Sequence, residues 1–209
     1  MAVTLKKGQG VSLKKNEYDL SKVTIGLGWD VAEAIKGEEQ AHNEYDLDVV
    51  AFLIGENGKV NDLGTIKDGR FTLLNGDVVY FNNLKHHSGQ IWLTGDNRTG
   101  DIDGDDEQII ANLNSIPECY EKILFIAQIY KGIERKQDFS KVKNSFIRAV
   151  DAKGKEVARF DLSGDSSYIN CCSLTFAELV RSDKSNWTFN AIGIPHETDA
   201  FAKILKSYV

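Results

Sequence analysis

Apolar residues along this chain come in short runs separated by Gly, Asn and Asp. Val23, Ile25, Leu27 and Trp29 alternate with smaller or polar residues, the two-residue period of a half-buried strand. Residues 47–54 (LDVVAFLI) are apolar almost throughout and lead into Glu56-Asn57-Gly58, where Asn-Gly is a strong hairpin signal. Residues 78–81, 91–94 and 109–113 read as further strands, and 122–130 (KILFIAQIY) as a fully buried central one. Residues 144–150 and 156–162 flank Asp151-Ala152-Lys153-Gly154, a second hairpin. Residues 172–180 and 187–192 flank a polar turn at 181–186, a third.

Helix signals are few. Phe201, Ile204, Leu205 and Val209 follow an i, i+3, i+4, i+8 stripe, which predicts a short amphipathic C-terminal helix with Thr198 as its cap. Residues 30–40 (DVAEAIKGEEQ) contain helix formers but are broken by Gly37, so we expect a loop there with at most one turn. Many short strands with turns between them predict an all-β fold, a sandwich or a barrel, rather than repeated βαβ units. Pro117 and Pro195 are expected outside the strands. No linker, composition shift or internal repeat divides the chain, so residues 1–209 read as a single domain.

Composition narrows the function classes. The chain has 209 residues, 42% apolar and 27% charged, an ordinary globular balance. Its net charge of −6 argues against a nucleic-acid partner, which would want clustered Lys and Arg. No apolar run reaches the ~20 residues of a transmembrane segment, and MAVTLKKGQG has no apolar core of a secretory signal. Cys119, Cys171 and Cys172 fit no zinc spacing; reduced thiols in a cytoplasmic protein are the expectation.

The acidity is concentrated. Residues 96–107 (DNRTGDIDGDDE) hold six acids against the single base Arg98, a net −5 that leaves only −1 for all other residues. Crowded carboxylates repel one another. Such a loop either stays extended and solvated or is neutralised by a multivalent cation. Ca²⁺ suits it, since it takes 6–8 oxygen ligands in irregular geometry; the absence of His and Cys from the loop argues against zinc. Asp101, Asp103 and Asp105 sit two apart, and Gly100 and Gly104 permit a curved backbone. Asp96 and Glu107 have EF-hand spacing, but Arg98, Gly100 and Asp101 break that pattern. Further oxygen donors fall near strand ends: Asp30, Glu44, Asp46, Asp48, and Asn82-Asn83. If those ends gather on one rim, a second metal site becomes possible. A metal-dependent phosphoester hydrolase is an alternative, with His86-His87 and Arg98 as its candidate groups, although His86-His87 reads better as a polar turn before Ser88-Gly89. A third reading is a calcium-bridged binder of anionic lipid or a small anion.

The segments VTLKKGQGVSL, VTIGLGWD, YDLDVVAFLIGENGKV, VVYFNNLK and TGDNRTGDIDGDDEQI are followed in order by NSFIRAVD, EVARFDLS, FAELVR and WTFNAIG. In this ordered set the chain resembles the bacterial TerD family of tellurium-resistance and general-stress proteins. The resemblance implies a non-enzymatic, cytoplasmic antiparallel β-sandwich with short peripheral helices, binding two Ca²⁺ at one end. Its acidic signature falls on Gly95, Asp96, Asn97, Thr99, Gly100, Asp103, Gly104, Asp105, Asp106 and Glu107. Its Asp-Leu-Asp falls on Asp46, Leu47 and Asp48, and its paired Asn on Asn82 and Asn83. Partners in keeping with it are other stress-response proteins or a membrane-associated complex. Two departures stand out: Ile102 where the family usually has Gly, and Ile194-Pro195-His196-Glu197 in place of a glycine-rich segment.

Overall fold

A computed structural model describes residues 2–30, 45–94, 104–163 and 165–209. Its strands are β1 Val3–Leu5, β2 Gly10–Leu13, β3 Val23–Asp30, β4 Leu47–Gly55, β5 Ile66–Lys67, β6 Arg70–Phe71, β7 Val78–Val79, β8 Ile91–Thr94, β9 Glu107–Ala111, β10 Tyr120–Ile129, β11 Lys143–Val150, β12 Glu156–Asp161, β13 Ser173–Arg181 and β14 Trp187–His196. The described residues also include two short helices, α1 Gly132–Arg135 and α2 Phe201–Leu205, and three single 3₁₀ turns. Among the described residues no helix is long and apolar enough to cross a membrane.

Two six-stranded sheets form the sandwich. One has the order β1-β12-β11-β3-β9-β8, the other β2-β14-β13-β10-β4-β7; β5 and β6 make a separate ribbon. Among the described residues all strand pairings are antiparallel except β1 with β12, which is parallel over three residues. Both sides of the sandwich are closed by consecutive strands. On one side the chain passes from β1, at the edge of the first sheet, to β2, at the edge of the second. On the other it passes from β7 to β8, again from edge to edge. The strands read from hydrophobic pattern are present, with bounds that move by at most four residues, the largest shift being β14, which runs on to His196. The very short β1, β2, β5 and β6 carry too few residues for a period to show.

The apolar run at 47–54 follows from burial on both faces. Val49, Ala51 and Leu53 of β4 enter the core between the sheets with Ile25, Leu27, Ile123 and Phe125. Val50, Phe52 and Ile54 face the other way and pack with Leu124, Ile126 and the α2 residues Phe201, Ile204 and Leu205. The C-terminal stripe therefore covers the outer face of the second sheet, and each of its three apolar side chains contributes about 1.5–3 kcal/mol by leaving water. Backbone bonds finish the seal: Val60 N–H donates to the Tyr208 carbonyl at 2.7 Å.

Two expectations need correction. Thr198 does not cap α2: the cap residue is Ala200, and Thr198 Oγ1 accepts from the Ala200 amide at 3.2 Å in a turn before the helix. Pro195 lies inside β14, opposite Leu174. It is tolerated because β2 covers only Trp187 to Asn190. Beyond that point β14 is an edge, where a missing N–H breaks no ladder.

Candidate metal centre

The register of the strands decides which residues meet. β3 ends where β9 begins, with Leu27 opposite Glu107. β4 begins where β10 ends, with Asp48 opposite Gln128. Side-chain bonds tie these ends of the two sheets together. Glu107 Oε2, on the first sheet, accepts from the Val49 amide of the second at 2.6 Å. Asp106 Oδ2 accepts from the Trp29 amide at 2.9 Å, and the Trp29 indole N–H donates to the Tyr45 carbonyl at 3.0 Å, one residue before Asp46. Asp48 Oδ2 accepts from Gln128 Nε2 at 3.1 Å, while Gln128 Oε1 takes the Phe201 amide at 3.0 Å. Asp46, Asp48, Asp106 and Glu107 are thus brought to one rim. Asp48, Asp106 and Glu107 are only 7%, 8% and 2% exposed, and Asp46 is half-buried.

Asp105 takes a different direction. Its Oδ1 accepts from Arg148 Nε at 2.7 Å, and Gln108 Nε2 donates to its Oδ2 at 3.3 Å. Arg148 also reaches Glu156 at 3.1 Å. The bond from Asp105 leads the causes that raise the Arg148 pKa above its ordinary value. Two glycines make room for this arrangement. A Cβ at Gly26 would overlap the Asp105 carboxylate, and one at Gly28 would overlap the Gly104 carbonyl. Gly104 itself sits at φ +117°, a conformation that favours glycine. The Gly-Leu-Gly of β3 is therefore a bed for the end of the acidic segment. Sequence reading missed Gly26, Gly28, Arg148 and Gln128; the alternate glycines inside an otherwise bulky strand were the available signal.

The Tyr80–Asn83 turn follows β7, which runs antiparallel to β4, so it lies at the β4 end that carries Asp48. Asn82 is exposed there. Asn83 is buried and holds the turn: its Oδ1 accepts from the Asn75 amide at 3.1 Å and its Nδ2 donates to the Val78 carbonyl at 2.7 Å. Asp30 ends β3 and accepts from Asn144. The expected ligands Asp96, Asn97, Thr99, Asp101 and Asp103, with Glu44, Gly95 and Gly100, lie outside the described residues. The segment that carries most of them leaves the described chain after Thr94 and rejoins it at Gly104, beside the rim.

A second polar centre sits toward the opposite end. Asp77 precedes β7, and its Oδ1 accepts from the Tyr120 hydroxyl at 2.6 Å and lies 3.1 Å from His86 Nε2. Its Oδ2 accepts from the Asp62 amide at 2.9 Å. Burial pushes the Asp77 carboxyl up, but the bonds from His86, Tyr120 and Asp62 outweigh it and hold it below the usual carboxylate value. His86 is 1% exposed, so the polar-turn reading is right only for His87, which is exposed. His86 is buried because its ring satisfies a buried acid between the β7 and β8 edges. The thiols of Cys171 and Cys172 are buried and free; Cys119 is exposed. Burial raises the Cys172 pKa to about 11, which keeps it a thiol at neutral pH.

Comparison with known proteins gives the lineage. The family profile described as "TerD domain" matches residues 1–208. The chain is 58% identical to Tellurium resistance protein TerX of Serratia marcescens, over all of both chains. It is 36% identical to Stress response protein SCP2 of Bacillus subtilis (strain 168), again over all of both. Its fold matches the crystal structure of a homologue of telluride resistance protein TerD from Streptomyces coelicolor A3(2), with a TM-score of 0.63 at 16% identity, covering 90% of this chain and 98% of that one.

Proposed function

This chain belongs to the TerD family, and we propose that it acts as a non-enzymatic, cytoplasmic calcium-binding protein in the tellurium-resistance and stress responses that name its relatives. One observation carries the reading: Asp48, Asp106 and Glu107, all more than nine-tenths buried, converge from both sheets on the rim that adjoins the acidic segment. Several acidic side chains at low exposure on one rim, beside a segment of net −5, favour a cation. The donor chemistry fits Ca²⁺, because carboxylate oxygens are hard ligands and calcium accepts them in irregular geometry.

Asp46, Asp48, Asp106 and Glu107 would hold the ions together with Asp96, Asn97, Thr99, Asp101, Asp103 and Gly104 of the acidic segment, and with Asn82 from the adjoining turn. Bound calcium would supply charge neutralisation and order. Two ions would bring the −5 of residues 96–107 close to neutral. Asp105 anchors the segment to the first sheet through Arg148. A hydrolase would draw on Arg98 and His86-His87; Arg98 lies outside the described residues, and His86 is engaged by Asp77 toward the opposite end of the sandwich. Other stress-response proteins or a membrane-associated complex would read the calcium-ordered rim.

Calorimetric titration of calcium into the full chain tests this. Two ions per chain are expected, with affinity weakened at least about tenfold in Asp106→Asn, whose amide oxygen keeps the bond from Trp29 while the charge is lost. No heat at millimolar calcium would overturn the proposal.

A further inference from the structure

Asp77, His86 and His87 form a cluster that the calcium reading does not use. One ring nitrogen of each histidine and one carboxylate oxygen of Asp77 all lie within 4.8 Å of one another. We propose that these three residues are the ligands of a late first-row divalent cation, with Zn²⁺ as its representative, in the seam between β7 and β8. Imidazole nitrogens with one carboxylate suit zinc and its neighbours, whereas calcium and magnesium take oxygen alone. Three protein ligands with an exposed third member leave a fourth position for water, the pattern of an open zinc site.

The surroundings of each ligand support the assignment. Metal-bound histidines nearly always donate their second ring N–H to an oxygen, and bound carboxylates are themselves hydrogen-bonded. His87 Nδ1 lies 3.2 Å from the Asn75 carbonyl. A carbonyl only accepts, so the proton is on Nδ1 and the lone pair is on Nε2. His86 Nδ1 lies 2.8 Å from Ser88 Oγ. Asp77 is oriented by the Tyr120 hydroxyl and the Asp62 amide.

His86 needs one rearrangement. The Ser88 amide donates to its Nδ1 at 3.2 Å, which puts the ring proton on Nε2, facing Asp77. When the cation takes the Nε2 lone pair, the proton relocates through solvent to Nδ1, where Ser88 Oγ accepts it. The ring stays neutral and Asp77 stays ionised, so no proton is released. Tetrahedral ligands at ~2.0–2.2 Å from zinc stand roughly 3.3–3.6 Å apart. The buried pair, at 3.1 Å, is already near that separation. His87, being exposed, closes the remainder by turning its ring.

The test is zinc titration by calorimetry with calcium present in excess to occupy the rim, on the parent, His87→Ala and Asp106→Asn. One zinc per chain is expected in the parent and in Asp106→Asn. His87→Ala should weaken it by more than the ~10–100-fold that loss of an outer partner costs. His87 is exposed, so the variant keeps its fold, and a circular dichroism spectrum checks that. Imidazole ¹⁵N resonances give a second readout: those of His86 and His87 should move with zinc while those of His196 stay. Absence of zinc binding, equal affinity in His87→Ala, or zinc binding lost in Asp106→Asn would each overturn the proposal, the last by placing the zinc at the rim.

Discussion

At one rim of the sandwich three buried carboxylates, Asp48, Asp106 and Glu107, are reached by neutral amide donors. At the other end a single buried carboxylate, Asp77, is met by His86, Tyr120 and the Asp62 amide. The difference lies in like charge. A lone carboxylate with three donors has its burial cost offset within the fold. Several carboxylates at one rim add like charge beside the acidic segment, which a bound cation would offset. The Asp77 carboxylate is therefore satisfied by the fold itself even before the cation proposed for it binds, whereas the rim carboxylates are the ones that calcium would relieve.

The largest effect expected comes from breaking the self-sufficient centre. Asp77→Ala strands the Tyr120 hydroxyl, the His86 Nε2–H and the Asp62 amide, and should cost about 3–5 kcal/mol. Chemical denaturation of zinc-free protein should show the same loss with and without calcium. A loss below about 1 kcal/mol would mean that water replaces the carboxylate and that the two ends are not different in kind.

A smaller effect is expected at Arg148. Its side chain is 29% exposed, so Arg148→Met should cost only about 1 kcal/mol after solvent screening. The sign of the calcium dependence matters more. Removing this counter-charge leaves Asp105 adding to the rim repulsion, so the loss should be larger in chelator than in calcium. Equal losses in thermal melts would separate Asp105 from the rim electrostatically.

The smallest effect is a pH slope. His196 ends β14 at the rim end of its sheet, and its Nε2 lies 2.9 Å from Thr175 Oγ1. Burial lowers its pKa. The folded chain therefore holds this proton less readily than the unfolded chain, and stability should be full above the ordinary histidine value of ~6.5 and fall as pH drops through and below it. His196→Gln should flatten that slope. An unchanged slope would assign it to other groups.

How far the sequence could be read follows from the range of each signal. The alternation in β3 and the stripe of α2 are local periodicities. Phe201, Ile204 and Leu205 pack as the stripe requires, while Val209 lies past the helix and is exposed. β3 is buried on both faces because its glycines are covered by the acidic segment. The concentration of acids at 96–107 is also local, and its described end, Asp105 to Glu107, does reach a shared rim with Asp48. The rest is long-range. Arg148 meets Asp105 across 43 residues, and Tyr120 meets Asp77 across another 43; no spacing rule connects such positions. His86 sits among Lys85, His87, Ser88 and Gly89, so its neighbours look like a surface turn. Only the crossing from one sheet to the other buries it. Pro195 was placed outside the strands because central strands exclude proline, but β14 loses its neighbour before reaching it.

The stitched sides of the sandwich bear on how this protein meets others of its kind. A sheet recruits a foreign strand where an edge offers a long, flat row of unused amides and carbonyls. Among the described residues the four outermost strands are two to four residues long, and each side is spanned by the connection between its own two edges. The stretch of β14 that runs past β2 carries Pro195, which offers no amide. Such margins make poor templates for fibrils. Association of this chain with itself or with a partner is thereby directed to the rims and the sheet faces.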